Sequence, residues 1–234
     1  MKVTTENNFV GLDDESIYKN YFQKLNYSDG TYSSIPHGFF RDWLDNDISS
    51  SEIGRFYIGR GSGFGVGSIV KYDGNFQSLQ VGRYVAAGLR VKILLNGQHP
   101  MNTISTCLFS VFGNGLKNAP MPQYGDTVIK NDVWIGDEAL ILGGSCIENG
   151  CVIGARSVLP PNFKSEPYGI YVGSPAKLIR YRFSEKVRSL LLELAWWDMP
   201  IDWIKKYNEY FMIDLNAIEE EKAMDLLKYL ISNR

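Results

Sequence analysis

One histidine stands where it could do chemistry. His99 lies in "LLNGQHPMN", residues 94–102, with Asn96 and Gln98 beside it. A neutral imidazole titrates near physiological pH, so it can take a proton from a weak nucleophile such as a hydroxyl without a covalent step. Taken alone, His99 reads more plainly as a turn histidine bonded to its own loop. Asn96 and Gln98 then either orient a base and its acceptor or complete a polar edge. The other histidine, His37 in "SIPHGFF", reads as structural. Two histidines are too few for a three-histidine zinc site, so no metal is expected. Cys107, Cys146 and Cys151 have neither metal-ligand spacing nor a catalytic histidine signature, and read as reduced, small apolar side chains.

The elements that must hold His99 show themselves by a period of six. In "VIKNDVWIGDEALILGGSCIENGCVIGARSVLPPNF" aliphatic residues recur at Ile129, Ile135, Ile141, Ile147, Ile153 and Leu159. Four residues after each of the first five come Val133, Ala139, Ser145, Cys151 and Ser157, all small or β-branched. Six matches neither a helix nor a single strand, but it matches a solenoid of short strands and sharp turns. Gly136, Gly143, Gly144, Gly150 and Gly154 fall where those turns need close backbone approach or positive φ. The rhythm also runs through Val81, Ala87 and Ile93, and more loosely through Ile58, Phe64, Val70 and Phe76. Three hexads close one triangular coil, which predicts complete coils over 81–98, 129–146 and 147–164. Between them, residues 99–128 lack the hexads and form an extruded loop that starts at His99. Its Phe109, Phe112, Leu116 and Tyr124 are anchors for docking.

The flanks differ in kind. Residues 1–52 read as an N-terminal extension or cap over the solenoid's open end, with a helix in "DDESIYKNYFQKL" capped by Asp13 or Asp14. The β-helix domain runs over 53–183. Residues 184–234 read as helices: one from Ser184 with Val187, Leu190, Leu191 and Leu194 on one face, one opened by Pro200, and one in "DLNAIEEEKAMDLLKYLI". The 24 Lys and Arg against 26 Asp and Glu leave no basic footprint, so neither nucleic acid nor an anionic membrane is the expected partner. The opening "MKVTTENNFVGLDDES" has no apolar stretch and no run approaches a spanning length, so a cytoplasmic protein without membrane insertion is expected.

These hexads, with the "HP" at the loop start, "GDTVIKNDVWIG", "VIGARSV" and "VGSPAKLIRYRF", resemble the left-handed β-helix acyltransferases that use acetyl-CoA. "FGNGL" and "LLLELAWWDMPIDWI" narrow the resemblance, over residues 53–212, to the xenobiotic acetyltransferase subgroup, which acetylates streptogramins or chloramphenicol. The resemblance implies a mainly β fold, a left-handed parallel β-helix with an extruded loop and a C-terminal α-helical segment. It also implies acetyl-CoA as co-substrate and a homotrimer with active sites between subunits. It makes His99 the general base and puts Trp134 in the cofactor slot. Backbone N–H groups around Gly143, Gly144 and Ala155 become candidates for the pantetheine amides and the thioester oxygen. Ser174, Pro175, Lys177 and Arg180 come to lie near the cofactor phosphates. Asn96, Gln98 and Phe109 are the acceptor-binding candidates, while Trp196, Trp197 and Asp198 read as packing. Where relatives carry a Thr-Lys-Asp run after the last coil this chain has "LPPNF", and "VGSPA" replaces their "GGNPA".

The expected reaction is O-acetylation of a small polar acceptor, with a sugar hydroxyl of a surface glycan or its precursor preferred. An antibiotic hydroxyl, the amine of a nucleotide-linked sugar and a non-catalytic trimeric scaffold are the alternatives.

Overall fold

The computed structural model describes residues 3–13, 21–48, 53–74 and 77–234. Phe76 and residues 14–20 of the expected N-terminal helix lie outside them. The chain winds as a left-handed parallel β-helix with three faces. The first face stacks Val3–Thr4, Arg55–Ile58, Ser78–Val81, Thr127–Ile129 and Cys146–Ile147. The second stacks Tyr32–Pro36, Gly63–Phe64, Ala86–Ala87, Trp134–Ile135, Val152–Ile153 and Gly169–Val172, and the antiparallel strand Lys177–Tyr181 follows. The third stacks Phe40–Arg41, Ile69–Lys71, Lys92–Leu94, Leu140–Leu142 and Val158–Leu159.

Six residues carry the chain from one face to the next, so residues six apart point inward in the same phase. Ile58, Val81, Ile129 and Ile147 stack in register on the first face. Phe64, Ala87, Ile135 and Ile153 do so on the second, and Val70, Ile93, Ile141 and Leu159 on the third. All of these but Ala87 are at most 2% exposed. Burying one such aliphatic side chain contributes about 1.5–3 kcal/mol, so the column of stacked residues compensates for strands too short to be stable alone. Val133, Ala139, Ser145, Cys151 and Ser157 are buried at the corners, where the narrowing interior admits only small or β-branched groups. The looser rhythm of Ile58, Phe64 and Val70 is a full coil, with one strand on each face.

The N-terminal residues extend the same sheets. Val3–Thr4, Tyr32–Pro36 and Phe40–Arg41 each pair in parallel with the first coil, and Phe9–Asp13 and Phe22–Tyr27 add antiparallel strands at that end. The helix expected from Asp13 to Leu25 is not what the described residues form: Asp13 ends one strand and Leu25 lies in the next. In "FQKLNY" Leu25 and Tyr27 alternate inward, and Asp29 accepts the Thr31 amide at 3.0 Å to close the hairpin. Period two outcompetes the helical spacing there.

Four helices follow the coils: α1 (Glu185–Leu194), α2 (Ile201–Lys206), α3 (Asn208–Phe211) and α4 (Glu220–Ile231). Ser184 caps α1 by accepting the Val187 amide, and Val187, Leu191 and Leu194 are buried. The helix expected from Asp214 starts only at Glu220, because Asp214 accepts the Asn216 amide at 2.9 Å and holds a turn. The short α3 carries no spacing signal of its own in the sequence. The tail is pinned to the first two coils: Arg60 donates to the carbonyls of Trp197 (3.3 Å) and Met199 (2.7 Å), and Arg83 bridges Glu6 and Asp198. Trp197 is buried and the Trp196 ring sits 4.7 Å from that of Tyr84, so this segment serves packing. No described helix is long and apolar enough to cross a membrane.

Candidate active site

The loop leaves the solenoid after the third-face strand Lys92–Leu94 and rejoins it at Thr127, whereas the sequence put the return at Ile129. Leu95 is buried, Asn96 turns inward with 8% exposure, and Gly97 takes φ +93°. That turn throws His99 out of the hexad column onto an exposed position. Its Nδ1 lies 2.8 Å from the carbonyl oxygen of Thr106, farther along the same loop. A carbonyl oxygen only accepts, so Nδ1 carries the proton and the lone pair of the neutral ring sits on Nε2.

His99 forms part of the wall of a cavity of about 420 Å3 between the coil and the loop. Leu94, Tyr72 and Trp43 line it from the solenoid side, and Leu108, Val111 and Met121 from the loop. The polar lining comes from Asn96, Asp73 and Lys71. Burial pushes the Tyr72 phenol well above its usual range, and its hydroxyl donates to the Arg55 carbonyl at 3.2 Å. Asn96 Nδ2 donates to Gln123 Oε1 at 3.0 Å.

A second groove, of about 450 Å3, runs along the second face. Trp134, 59% exposed, lies in register between Ala86 and Val152, and Ile170 continues the row. Arg180 reaches into this groove from the antiparallel strand. Burial holds the carboxyl of Asp132 at its edge above the usual carboxylate range, an effect that Arg182, 3.1 Å away, offsets only in part.

The bacterial transferase hexapeptide profile (six repeats) matches residues 126–161. The chain is 34% identical over 195 residues to a virginiamycin A acetyltransferase of Staphylococcus aureus, covering 80% of this chain and 87% of that protein. The chain belongs to the hexapeptide-repeat acetyltransferases. It is also 41% identical over 126 residues to a protein named "Probable macrolide acetyltransferase" of Lysinibacillus sphaericus, covering 51% of this chain and 69% of that one. A chloramphenicol acetyltransferase of Escherichia coli is 54% identical over 82 residues, which cover 35% of this chain and only 38% of that relative.

In this hexapeptide-repeat acetyltransferase the residues singled out by sequence fall into two groups. His99, Asn96, Gly143 and Gly144 gather at the corner where the third face returns to the first. Gln98 is half-buried beside them but does not line the cavity. Phe109 opens the short turn Phe109–Phe112 and does not line it either; its neighbours Leu108 and Val111 do. A side chain at Gly143 would place its Cβ 2.1 Å from the Leu95 carbonyl oxygen, and Tyr124 packs over both glycines. The Gly144 amide is donated to Thr127 Oγ1 at 3.1 Å. The pair therefore seats the loop on the coil.

Trp134 and Arg180 share the second-face groove, whereas Ala155 is exposed at the next corner. Ser174 and Pro175, joined by a cis peptide, and Lys177 are exposed around the final hairpin. Within one chain, the second face and the His99 corner lie on opposite sides of the triangle. Sequence reasoning missed Trp43, Tyr72, Leu108, Val111 and Met121. Tyr72 stands two residues after the hexad position Val70, and no periodic signal marks the distant Trp43 or the loop residues Leu108, Val111 and Met121 as neighbours of His99.

Proposed function

We propose that this protein transfers an acetyl group from acetyl-CoA to a hydroxyl of a small amphipathic acceptor, with His99 as general base. The observation that carries this is the hydrogen bond from His99 Nδ1 to Thr106, which leaves Nε2 to take a proton. The acceptor oxygen attacks the thioester carbon as its proton passes to Nε2; the C–S bond breaks and the proton is returned to the sulfur. Acetyl-CoA supplies the activated acyl group. Trp134, Val152 and Ile170 offer an apolar wall suited to a pantetheine arm, and Arg180 and Lys177 offer cations for its phosphates.

Because the His99 corner and the Trp134 face are on opposite sides of one chain, a complete site requires neighbouring copies, and a homotrimer is the assembly we infer. The exposed Met101, Ile104, Phe112 and Leu116 of the loop support it, as apolar groups left without cover by their own chain.

The cavity's apolar walls bear on the acceptor. A bare glycan sugar, the acceptor expected from sequence, needs polar partners around its whole ring; Lys71, Asp73, Asn96 and His99 supply some, but Trp43, Tyr72, Leu94, Leu108, Val111 and Met121 leave most of the wall apolar. They suit a hydroxyl carried on an apolar framework, the antibiotic-type reading. In a non-catalytic scaffold the His99–Thr106 bond would serve only to hold the loop, and release of CoA thiol separates the two readings.

The test is incubation with acetyl-CoA and chloramphenicol, a macrolide, virginiamycin or a sialylated oligosaccharide, with CoA thiol release and product mass as readouts. An acetyl ester on an apolar acceptor is expected. Ester on the oligosaccharide alone would restore the sugar reading, and no thiol release with no thermal shift by acetyl-CoA would overturn the enzyme reading.

A further inference from the structure

We propose that the cavity where the tail helices meet the corner of the coils binds a small, flat, uncharged aromatic molecule that carries one carbonyl oxygen. It shares no residue with the His99 cavity, and the acetyl transfer proposed above does not depend on it.

The tail has a hydrophobic core of its own around Val187, Leu191 and Leu227, distinct from the core of the coils. Where the two meet, α1, α4 and residues 210–215 stand over Asp132 and Tyr168 without closing on them, and a cavity of about 240 Å3 remains. Protein interiors leave few voids larger than a water molecule, so a space of this size is unusual. Leu194, Leu226 and Leu230 give it aliphatic walls, and Phe183, Trp196 and Phe211 give it flat aromatic ones. An apolar cavity of roughly 150 Å3 stays dry and takes a benzene ring, so this one has room for a two-ring aromatic. Phe211, Ile213 and Asp214 are exposed and form an open mouth.

Arg182 decides which polar group the occupant carries. Its guanidinium carbon lies 5.5 Å from the ring centre of Tyr168 and 5.1 Å from that of Phe183, two rings of the cavity lining, and its side chain is 31% exposed. One terminal nitrogen donates to Asp132 at 3.1 Å and to the Gly150 carbonyl at 2.9 Å. Nε and the other terminal nitrogen have no hydrogen bond among the described residues, which leaves donors for a ligand. Asp132 and Asp214 stand in the same lining, so a carboxylate would meet two like charges, and an ammonium would meet the guanidinium. A carbonyl oxygen takes a charge-assisted hydrogen bond from Arg182 without either penalty.

The experiment titrates the full chain by calorimetry with 3-acetylindole, with 3-ethylindole, which has a methylene in place of the carbonyl, and with indole-3-acetate, which is charged. The ketone is expected to bind roughly five-fold or more tightly than 3-ethylindole, and the carboxylate more weakly than the ketone. Leu226→Trp fills the cavity from a half-buried position on α4 and should weaken the ketone by roughly ten-fold or more. A thermal melt shows whether that variant folds; Ile213→Trp, at the exposed mouth, blocks the same space without touching the tail core. Arg182→Lys keeps a cation beside Asp132 but not the planar set of donors, and should bring the ketone and 3-ethylindole to within about two-fold of each other. No binding of the ketone at millimolar concentration overturns the proposal. So does an unchanged affinity in a folded Leu226→Trp or Ile213→Trp, which would put the ketone elsewhere on the chain. A carboxylate that binds more tightly than the ketone, or an unchanged preference in Arg182→Lys, overturns it as well.

Discussion

His99 Nδ1 and the Thr106 carbonyl oxygen are 2.8 Å apart, and this one contact leaves Nε2 as the nitrogen of the neutral ring that can accept a hydrogen bond. Both residues belong to the extruded loop, so the loop orients the imidazole that stands at its own start. His99→Ala should leave the melting temperature near that of the wild type, because the side chain is exposed and outside the core. Turnover should fall by roughly 10²–10⁴-fold, the usual loss for a general base. Steady-state CoA release on the true acceptor checks it; a loss of only a few-fold would make His99 a structural residue of the loop.

The separation of the His99 corner from the Trp134 face predicts complementation between copies. His99→Ala and Trp134→Ala should each be nearly inactive as pure assemblies. Mixed by refolding together, they should regain a sizeable fraction of wild-type turnover, because some sites then receive a normal corner from one chain and a normal face from its neighbour. Light scattering on the same samples should report three chains; a monomer, or no recovery on mixing, would rule out a shared site.

At Gly143 the constraint is steric. The Cβ of Gly143→Ala would fall 2.1 Å from the Leu95 carbonyl oxygen, a backbone atom in the coil above, so the coils must part or the loop must lift. A loss of about 2–4 kcal/mol in denaturant stability is expected, with a fall in activity beyond the fraction unfolded, since Leu95 immediately precedes the turn that sets His99. Unchanged stability would mean that the coil spacing relaxes freely.

Glu138 is held between Arg90 (2.8 Å) and Arg156 (2.7 Å), one coil to either side. The hydrogen bond from Arg156, aided by that from Arg90, holds its carboxyl below the usual carboxylate range. A depressed carboxylate contributes stability that is present above its unfolded pKa and is lost as pH falls through its folded one. Glu138→Gln should therefore melt slightly lower than wild type at pH 6, and the difference should vanish in the acid range and shrink in high salt. A difference that persists at pH 2 would assign the effect to packing.

The repeat, and with it the fold, was legible in the sequence because each hexad repeats one local problem: an aliphatic residue inward, a small one at the corner, then a turn. Ile129, Ile141 and Leu159 occupy the places their spacing implied, since a solenoid is built from contacts between equivalent positions on successive coils. His99 was legible for the opposite reason, as the residue at which the pattern stops. What the sequence left undecided is everything set by contacts without a period. The stretch ending at Leu25 reads as a helix in the sequence, yet pairing with the neighbouring strand Tyr32–Pro36 holds it extended. Phe109 looked like a wall of the site, yet the turn it begins presents Leu108 and Val111 to the cavity instead. Trp43 and Tyr72 reach His99 across long stretches of chain, and Asn96 meets its partner Gln123 only across the loop. Periodicity encodes neighbours that recur at a fixed interval; a pocket is made by neighbours that occur once, and only the folded chain brings those together.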